Sequence, residues 1–295
     1  MKVLVLGGNG FIGGAIVKKL REKNVDVYIG SRKASETNKT LKIPMQEMLQ
    51  EDAWRELLLD VDVVVNSVGI LRERKNESYE NVQTLAPSVL AKACAILDVR
   101  LIHISAIGLT LKAKSRFIRS KFNGEQGVVA SQAMAIIVRP SLLDGEGGFG
   151  AKWFRRVAQW PIQGVMKTKG LIAPLTVTDL GEAVANLCFM DFKELPSIIE
   201  LGGNDILSIP QYLTKLRLIN FTKPALQINV PKSGVRIFSH IFDIFAVTPL
   251  SFGHFELMQG FNVPATNYLP ILLKRRPSEV GLSNTIPWEE KLSRV

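Results

Sequence analysis

The sequence predicts an α/β fold, with a doubly wound parallel sheet followed by a smaller and more irregular carboxyl-terminal lobe. Up to Pro140, short apolar runs rich in Val and Ile alternate with amphipathic stretches. Such runs are typical of strands buried on both faces, and the stretches between them are typical of covering helices. Beyond Ser141 the alternation stops, because a glycine-rich loop follows and proline recurs through the rest of the chain.

The alternating segments define the expected order of elements. The predicted strands cover residues 3–6, 25–29, 61–65, 101–104 and 135–138, and the predicted helices cover 11–23, 46–59, 78–97 and 115–131. Right-handed crossovers between successive strands would place these helices on both faces of one sheet. A short helix is expected at 153–159, and a helix at 177–190 is expected to return to the first lobe.

This order divides the chain into two lobes. Residues 1–145 form the main lobe, which 174–205 rejoin, and 146–173 with 206–295 form the smaller one. Within the smaller lobe, 234–247 carries large apolar residues at helical spacing. Two interpretations of that stripe stay open, since it fits core packing as well as a surface for a membrane or a partner protein.

Composition and charge restrict the classes of function. The 295 residues carry a formal net charge of +10, which suits nucleic acid, anionic lipid, an acidic partner or a phosphorylated ligand. The basic residues are dispersed and no nucleic-acid-binding motif is present, so nucleic acid is not an expected partner. Cys94 and Cys188 lie far apart, and neither His240 nor His254 has a second ligand at metal spacing. No metal site is predicted.

The amino-terminal residues bear on the expected location. The first apolar run leads straight into glycines and leaves no room for a separate secretory segment. No run reaches the ~18 consecutive apolar residues that span a bilayer. We expect a cytoplasmic protein, with peripheral attachment to the inner face of the membrane as the alternative.

A glycine-rich turn follows the first predicted strand and opens the first predicted helix. Its pattern is Gly8-x-Gly10-x-x-Gly13, with Gly7 just ahead. In a Rossmann-type βαβ unit such glycines allow a tight turn and let the backbone approach a pyrophosphate, which the helix amino terminus then binds. The expected cofactor-binding residues here are Gly7, Gly8, Asn9, Gly10, Phe11, Ile12 and Gly13.

The end of the second predicted strand indicates which dinucleotide binds. Ser31, Arg32 and Lys33 stand where an NAD-specific site usually has an acidic residue for the ribose 2′-hydroxyl. A hydroxyl and two cations suit a 2′-phosphate, so NADP(H) is favoured over NAD(H), the alternative being a solvated basic turn. The small residues after the next strand are expected beside the adenine and its ribose: Asn66, Ser67, Val68 and Gly69.

The order of these motifs resembles the extended and atypical short-chain dehydrogenases/reductases, which are NAD-dependent epimerase/dehydratase-like. The motifs His103-Ile104-Ser105, Ser120-Lys121 with Gly124-Glu125, and Val138-Arg139-Pro140-Ser141 continue that order. The sequence is most similar to the branch containing bacterial relatives of the Rossmann-fold accessory subunit of respiratory complex I. The resemblance covers the first ~150 residues well and implies NAD(P) binding.

The resemblance also implies roles for individual residues. Catalytic family members carry a Tyr-x-x-x-Lys pair on one helix face and a Ser or Thr after the preceding strand. In this chain the lysine is Lys121 and the hydroxyl residue is Ser105, but the tyrosine position is Phe117. The segment with Pro140 and Ser141 is expected to pass the nicotinamide.

Loss of the tyrosine leaves two functions open. One is a cofactor-binding assembly, accessory or sensor protein that docks on a membrane-associated complex or a membrane surface and is linked to respiratory or quinone metabolism. The other is an NADPH-dependent oxidoreductase for a hydrophobic carbonyl or quinone-like substrate. In the second case Ser115, Tyr79 or His103 would have to replace the acid, although His103 stands in an apolar run that favours a hydrogen-bonded core histidine.

Overall fold

The computed structural model describes residues 1–33, 35, 39–166, 168–230, 256–257 and 259–281, so the predicted helix at 234–247 lies outside the described residues. The strands are β1 (Lys2–Leu6), β2 (Asp26–Ser31), β3 (Thr40–Lys42), β4 (Val63–Asn66), β5 (Arg100–Ile104), β6 (Ala135–Pro140), β7 (Leu143–Asp144), β8 (Ile162–Val165), β9 (Leu171–Ile172), β10 (Leu175–Thr176), β11 (Ile198–Leu201), β12 (Leu226–Asn229) and β13 (Phe261–Asn262). The helices are α1 (Phe11–Glu22), α2 (Asp52–Leu58), α3 (Ala86–Ile96), α4 (Arg116–Ala130), α5 (Phe149–Ala158), α6 (Val177–Leu187), α7 (Ile209–Leu218) and α8 (Leu269–Leu273).

A seven-stranded sheet forms the centre of the molecule. Its order is β11-β6-β5-β4-β1-β2-β3, and every pair is parallel. The chain builds outward from β1 in one direction and then crosses back to build in the other, which is the doubly wound arrangement. The predicted fold class is confirmed. The five predicted strands are β1, β2, β4, β5 and β6, while β3 and β11 extend the two edges.

The two faces of the sheet explain the continuous apolar runs of its strands. In β1, Val3 and Val5 pack toward α1 and α6, whereas Leu4 and Leu6 pack toward α2 and α3. Successive side chains of a strand point to opposite faces, so a strand covered on both faces needs apolar residues at every position. The α6 helix lies against α1, as expected for the chain returning to the main lobe. The exact division into lobes stays a prediction.

Three predicted helices differ clearly from those observed. The short helix expected at 153–159 begins four residues earlier, as α5. Of the helix expected over 46–59, only α2 forms. The prediction is too long because Met45 and Met48, which reach the core from outside any helix, have the spacing of three that is typical of a helix face. The Trp54 indole donates to the Met48 carbonyl at 3.3 Å and holds that turn. The helix expected over 78–97 begins instead with a π-helical stretch, Glu80–Leu85, before α3.

Proline accounts for the π-helical stretch. Pro87 has no N–H to donate to the carbonyl four residues earlier, which belongs to Gln83. The Ala86 N–H donates to the Asn81 carbonyl, a bond that spans five residues. The Gln83 carbonyl is left against α4, where a Cβ on Gly124 would lie 2.0 Å from it. Glycine at 124 therefore lets α4 pack directly on this stretch.

A separate apolar cluster is formed mainly by α5 and α7. Phe154 and Val157 of α5 pack there with Tyr212, Leu213 and Leu216 of α7. Short parallel pairs, β7 with β10 and β9 with β13, connect this region to the main sheet. Among the described helices, none is long and apolar enough to cross a membrane.

Candidate cofactor site

A cleft of about 1810 Å³ opens at the carboxyl ends of the central strands. Sixteen of the residues expected at the site line it: Gly7, Asn9, Gly10, Phe11, Ile12, Gly13, Ser31, Arg32, Ser67, Val68, Gly69, Ser105, Phe117, Lys121, Pro140 and Ser141. Three others lie outside the lining. Gly8 faces Ile29 and Val17, Lys33 is exposed beyond β2, and Asn66 is buried beneath the cleft floor.

The glycine turn has the shape that a pyrophosphate site requires. Gly7 has a φ of +76°, a backbone conformation that residues other than glycine rarely adopt. A Cβ on Gly13 would lie 2.2 Å from the Gly7 carbonyl oxygen, so only glycine lets α1 start this close to the turn. Because Gly10 at the start of α1 has no side chain to cap the helix, the first N–H groups of α1 are available to a phosphate.

Cations surround the end of the cleft beside β2. Ser31 and Arg32 line it as expected, and the Arg32 side chain is 70% exposed. The sequence interpretation missed four more cations that line the same cleft: Lys42, Arg72, Arg74 and Lys75. Three of them follow β4 in a loop that only the tertiary fold brings opposite β2. An acidic residue also reaches this end, since Glu77 accepts from the Arg32 guanidinium at 3.2 Å.

Polar atoms without partners lie deeper in the cleft. Within the part of the chain that the structure describes, the buried Ser105 Oγ and Gln83 Oε1 have no hydrogen-bond partner. The Gln83 Nε2 donates to Ser120 Oγ at 2.9 Å, which fixes the amide. Gln83 Oε1 and Lys121 Nζ flank Gly69, at 3.5 and 3.6 Å from the position of a Cβ there. Buried polar groups are normally hydrogen-bonded, so these atoms fit a polar ligand such as a ribose.

The Lys121 side chain shares this deep part of the cleft. Loss of hydration lowers the pKa of its ammonium, while the Glu125 carboxylate one turn further along α4 acts in the opposite direction. Glu125 is itself fully buried and accepts a two-point hydrogen bond from Arg139. The carboxylate that acts on Lys121 is therefore one whose own hydrogen bonds are made with Arg139.

Position 117, where the family resemblance implies a tyrosine, holds a packed phenylalanine ring. Phe117 is buried and meets Tyr79 edge to face, with ring centroids 6.0 Å apart. The Tyr79 hydroxyl donates to the Leu71 carbonyl at 2.8 Å. Ser115 precedes α4 and is not among the cleft-lining residues, so of the proposed substitute acids only Tyr79 lines the cleft.

His103 lies beneath the cleft as a core histidine. Asn66 Oδ1 accepts from the Val68 N–H, so its Nδ2 faces His103 Nδ1 at 3.2 Å and donates to it. Burial, with a smaller effect of the Lys121 charge, lowers the pKa of His103 to about 3. The imidazole is therefore neutral at pH 7 and is not a proton donor of ordinary strength.

The carboxyl-terminal region completes the end of the cleft beside Ser141. The Ser141 hydroxyl donates to Asn262 and accepts from the Ala173 N–H at 3.0 Å. Asn262 Nδ2 donates in turn to the Ile107 carbonyl at 2.8 Å. The Ser141 side chain thus ties three segments together, and Asn262 is a lining residue that sequence interpretation did not select.

Apolar side chains form the outer wall of the same end. They are Leu142, Phe149, Trp153, Phe154, Ile209 and Leu257. Phe11 packs beside Gly148, where a Cβ would lie 2.7 Å from its ring. The glycine-rich loop after β6 therefore brings α5 close to the start of α1. Its glycines signalled a loop in the sequence, but not this contact.

Comparison with known proteins places this geometry in a family. Residues 3–190 match the NAD dependent epimerase/dehydratase family. The chain belongs to this family. The solved structure of MoeE5 in complex with UDP-glucose and NAD superposes with a TM-score of 0.66 at 15% identity and covers 99% of this chain and 100% of that one. UDP-N-acetylglucosamine 4-epimerase from Bacillus cereus superposes with a TM-score of 0.59 at 16% identity, covering 78% and 85%. These likenesses support the NAD(P)-binding Rossmann fold.

The curated proteins that are similar to this chain include subunits of an NADH dehydrogenase and a reductase. The mitochondrial NADH dehydrogenase [ubiquinone] 1 alpha subcomplex subunit 9 of Arabidopsis thaliana is 26% identical over 68% of the chain, and that of Dictyostelium discoideum is 24% identical over 83%. The matches cover 54% and 71% of those proteins, so the chain spans about half the length of the plant relative. Ceramide reductase of Caulobacter vibrioides is 21% identical, covering 97% of this chain and 93% of that protein.

Proposed function

We propose that this family member binds NADP(H) in the cleft and serves as an accessory, assembly or sensor protein linked to respiratory quinone metabolism. The observation that carries the proposal is the pair formed by an intact cofactor cradle and a phenylalanine at the proton-donor position. Phe117 preserves the packing around the cofactor site, because its ring is buried against Tyr79, but it cannot transfer a proton, because it has no ionisable group.

Each part of the cofactor has candidate partners. The glycine turn and the amino terminus of α1 suit the pyrophosphate, and Arg32 with the loop cations suits the 2′-phosphate. Ser105 and Lys121 suit the nicotinamide ribose, because their polar atoms lie in the deep cleft. When bound, the nicotinamide supplies a hydride donor or acceptor at this end.

The described residues offer poor replacements for the tyrosine. General acid–base help contributes roughly 10²–10⁴ in rate. His103 stays neutral and hydrogen-bonded beneath the floor, and the Tyr79 hydroxyl is committed to the Leu71 carbonyl. We therefore expect no measurable carbonyl chemistry, with binding intact.

The accessory role rests on the relatives named as subunits of an NADH dehydrogenase. We place the chain in the cytoplasm, peripheral on the inner face of the membrane, with a membrane-associated complex as its partner. The net charge of +10 favours an anionic surface. Attachment of this kind would weaken as salt rises, because exposed charges are screened over about 8 Å at physiological ionic strength.

A second candidate function is NADPH-dependent reduction of a hydrophobic carbonyl or quinone-like substrate. The apolar wall that includes Phe149, Trp153 and Leu257 favours it, since this wall flanks the nicotinamide end of the cleft. The end-to-end similarity to a ceramide reductase supports the same candidate. In this case the Tyr79 hydroxyl would have to leave the Leu71 carbonyl and turn toward the substrate.

The absorbance of NADPH over a panel of hydrophobic ketones, lipid carbonyls and quinones separates the two candidates. If the proposal is right, NADPH is oxidised no faster with the protein than without it. The chain is also recovered with the membrane fraction, and a high-salt wash releases it from the membranes. Turnover that Tyr79→Phe abolishes would contradict it and establish the reductase. If the chain were absent from the membrane fraction at low salt as well as at high salt, the accessory role would be contradicted.

A further inference from the structure

We propose that Glu77 sets the coenzyme preference of the cleft by competing with the 2′-phosphate for Arg32. The inference rests on the proposed function, because it assumes that a dinucleotide occupies this cleft. The residues at the carboxyl end of β2, Ser31 to Lys33, include no acidic residue. The fold supplies one there from the loop that follows β4.

The two members of the ion pair are held unequally. Glu77 Oε1 lies 3.2 Å from the Arg32 guanidinium, and both residues line the cleft. The Glu77 side chain is 18% exposed, against 70% for Arg32. The Glu77 backbone exchanges hydrogen bonds with Arg74 at 2.9 and 3.1 Å, and the following Ser78 N–H donates to the Gln46 side chain at 2.8 Å. The carboxylate is thus fixed on a tethered loop, while the guanidinium has room to change partner.

This fixed carboxylate acts differently on the two coenzymes. It can accept a hydrogen bond from a ribose 2′-hydroxyl, as an acid at the end of β2 would. It repels a 2′-phosphate and also occupies the guanidinium that the phosphate needs. The nearby cations Lys42, Arg72 and Arg74 offset this repulsion only in part, because the Glu47 carboxylate lines the same cleft. The chain therefore retains appreciable NAD(H) affinity despite its basic turn.

Neutralising the carboxylate tests the inference. Glu77→Gln keeps the side-chain shape and removes the charge, so NADPH should bind more tightly and NADH more weakly. We expect the ratio of NADPH to NADH affinity to rise about tenfold. Glu77→Ala should move the ratio in the same direction, and thermal unfolding checks that each variant is folded.

Glu73→Gln is the matched control. Glu73 stands on the same loop and carries the same charge, but it pairs with Arg116 at 2.9 Å on the α4 side of the cleft. Its neutralisation should leave the affinity ratio unchanged. An unmoved ratio in Glu77→Gln, or an equal shift in Glu73→Gln, would overturn the inference while both coenzymes still bind. Failure of the unmodified chain to bind either coenzyme would instead contradict the proposed function, and the inference with it.

Discussion

Phe117 lies one helical turn before Lys121 and packs against Tyr79 at the wall of the cleft. Phe117→Tyr adds one hydroxyl at the place where the family resemblance puts the proton donor. If the apolar end of the cleft admits a substrate, we expect NADPH-dependent carbonyl reduction to rise by roughly 10² or more, as general acid catalysis allows. Turnover over the substrate panel measures it, and Phe117→Tyr combined with Lys121→Met should lose the gain. The absence of any gain in a variant that binds NADPH would show a closed or repurposed site.

Arg32 carries the prediction of NADP(H) binding. Arg32→Glu places a carboxylate near the 2′-phosphate and removes a charge-assisted hydrogen bond, so NADPH affinity should fall about 10- to 100-fold more than NADH affinity. Lys33→Glu makes the same charge change at the next residue, which lies outside the cleft lining. Its effect on NADPH should be much smaller. Equal losses for NADPH and NADH in Arg32→Glu would refute the NADP(H) assignment.

His103 makes stability depend on pH. Its pKa is about 3 in the folded chain and near 6.5 when unfolded, so above pH 6.5 it is neutral in both states. As pH falls below 6.5 the unfolded state gains a proton first, and stability is lost down to pH 3. Between pH 7 and pH 5 this amounts to about 2 kcal/mol.

Urea unfolding at the two pH values measures this dependence. His103→Asn keeps an acceptor for Asn66 but has no side chain that titrates in this range. Between pH 7 and pH 5, the variant should therefore lose about 2 kcal/mol less stability than the unmodified chain. A parallel pH dependence in both proteins would mean that other groups cause the loss. The same comparison tests whether His103 is a core residue, because a catalytic imidazole would titrate near neutrality.

Single residues show how far sequence reasoning reached at the site. The glycines, Ser105 and Lys121 could be assigned because each follows a strand or stands on a helix whose pattern is local. Glu77, Gln83 and Asn262 could not. They reach the cleft through a loop crossing, a π-helical turn and a segment more than a hundred residues beyond β6. These placements depend on tertiary packing that no local pattern records.

At the scale of elements, the turn between β1 and α1 depends on how closely the helix approaches. A Cβ on Gly13 would overlap the Gly7 carbonyl, whereas one on Gly14 would lie 3.6 Å from the Gly8 carbonyl. Gly13→Ala should therefore abolish measurable dinucleotide binding and cost about 1–3 kcal/mol of stability. Gly14→Ala should preserve binding and stabilise the helix by about 0.5–1 kcal/mol. Calorimetry and urea unfolding of both variants check this. Normal binding by Gly13→Ala would contradict the geometry of the turn.

Strands and helices were predicted correctly where burial produces a regular pattern of apolar residues. Strands buried on both faces must be apolar throughout, so β1, β4 and β5 were visible in the sequence. β3 has only three residues, too few for a pattern. The π-helical stretch was not visible, because it results from Pro87 together with the close approach of α4 at Gly124. Helix 46–59 was overextended, because buried methionines in turns imitated helical spacing.

In the proposed function, the molecule as a whole binds a cofactor without catalysing its turnover. The dinucleotide of the proposed function fits a cleft with backbone N–H groups at the start of α1, buried oxygens of Ser105 and Gln83 without partners among the described residues, and cations beside β2. Under the same proposal, phenylalanine at position 117 means that this ligand is held rather than consumed. Binding alone stabilises a protein by about 2.7 kcal/mol at a ligand concentration of one hundred times Kd.

Calorimetric titration of the purified chain with NADPH and with NADH, followed by absorbance measurements over the substrate panel, tests whether the chain binds the cofactor without using it. We expect NADPH to bind at one site per chain, more tightly than NADH, and without turnover. The absence of NADPH binding, or rapid NADPH oxidation by the unmodified chain, would contradict it.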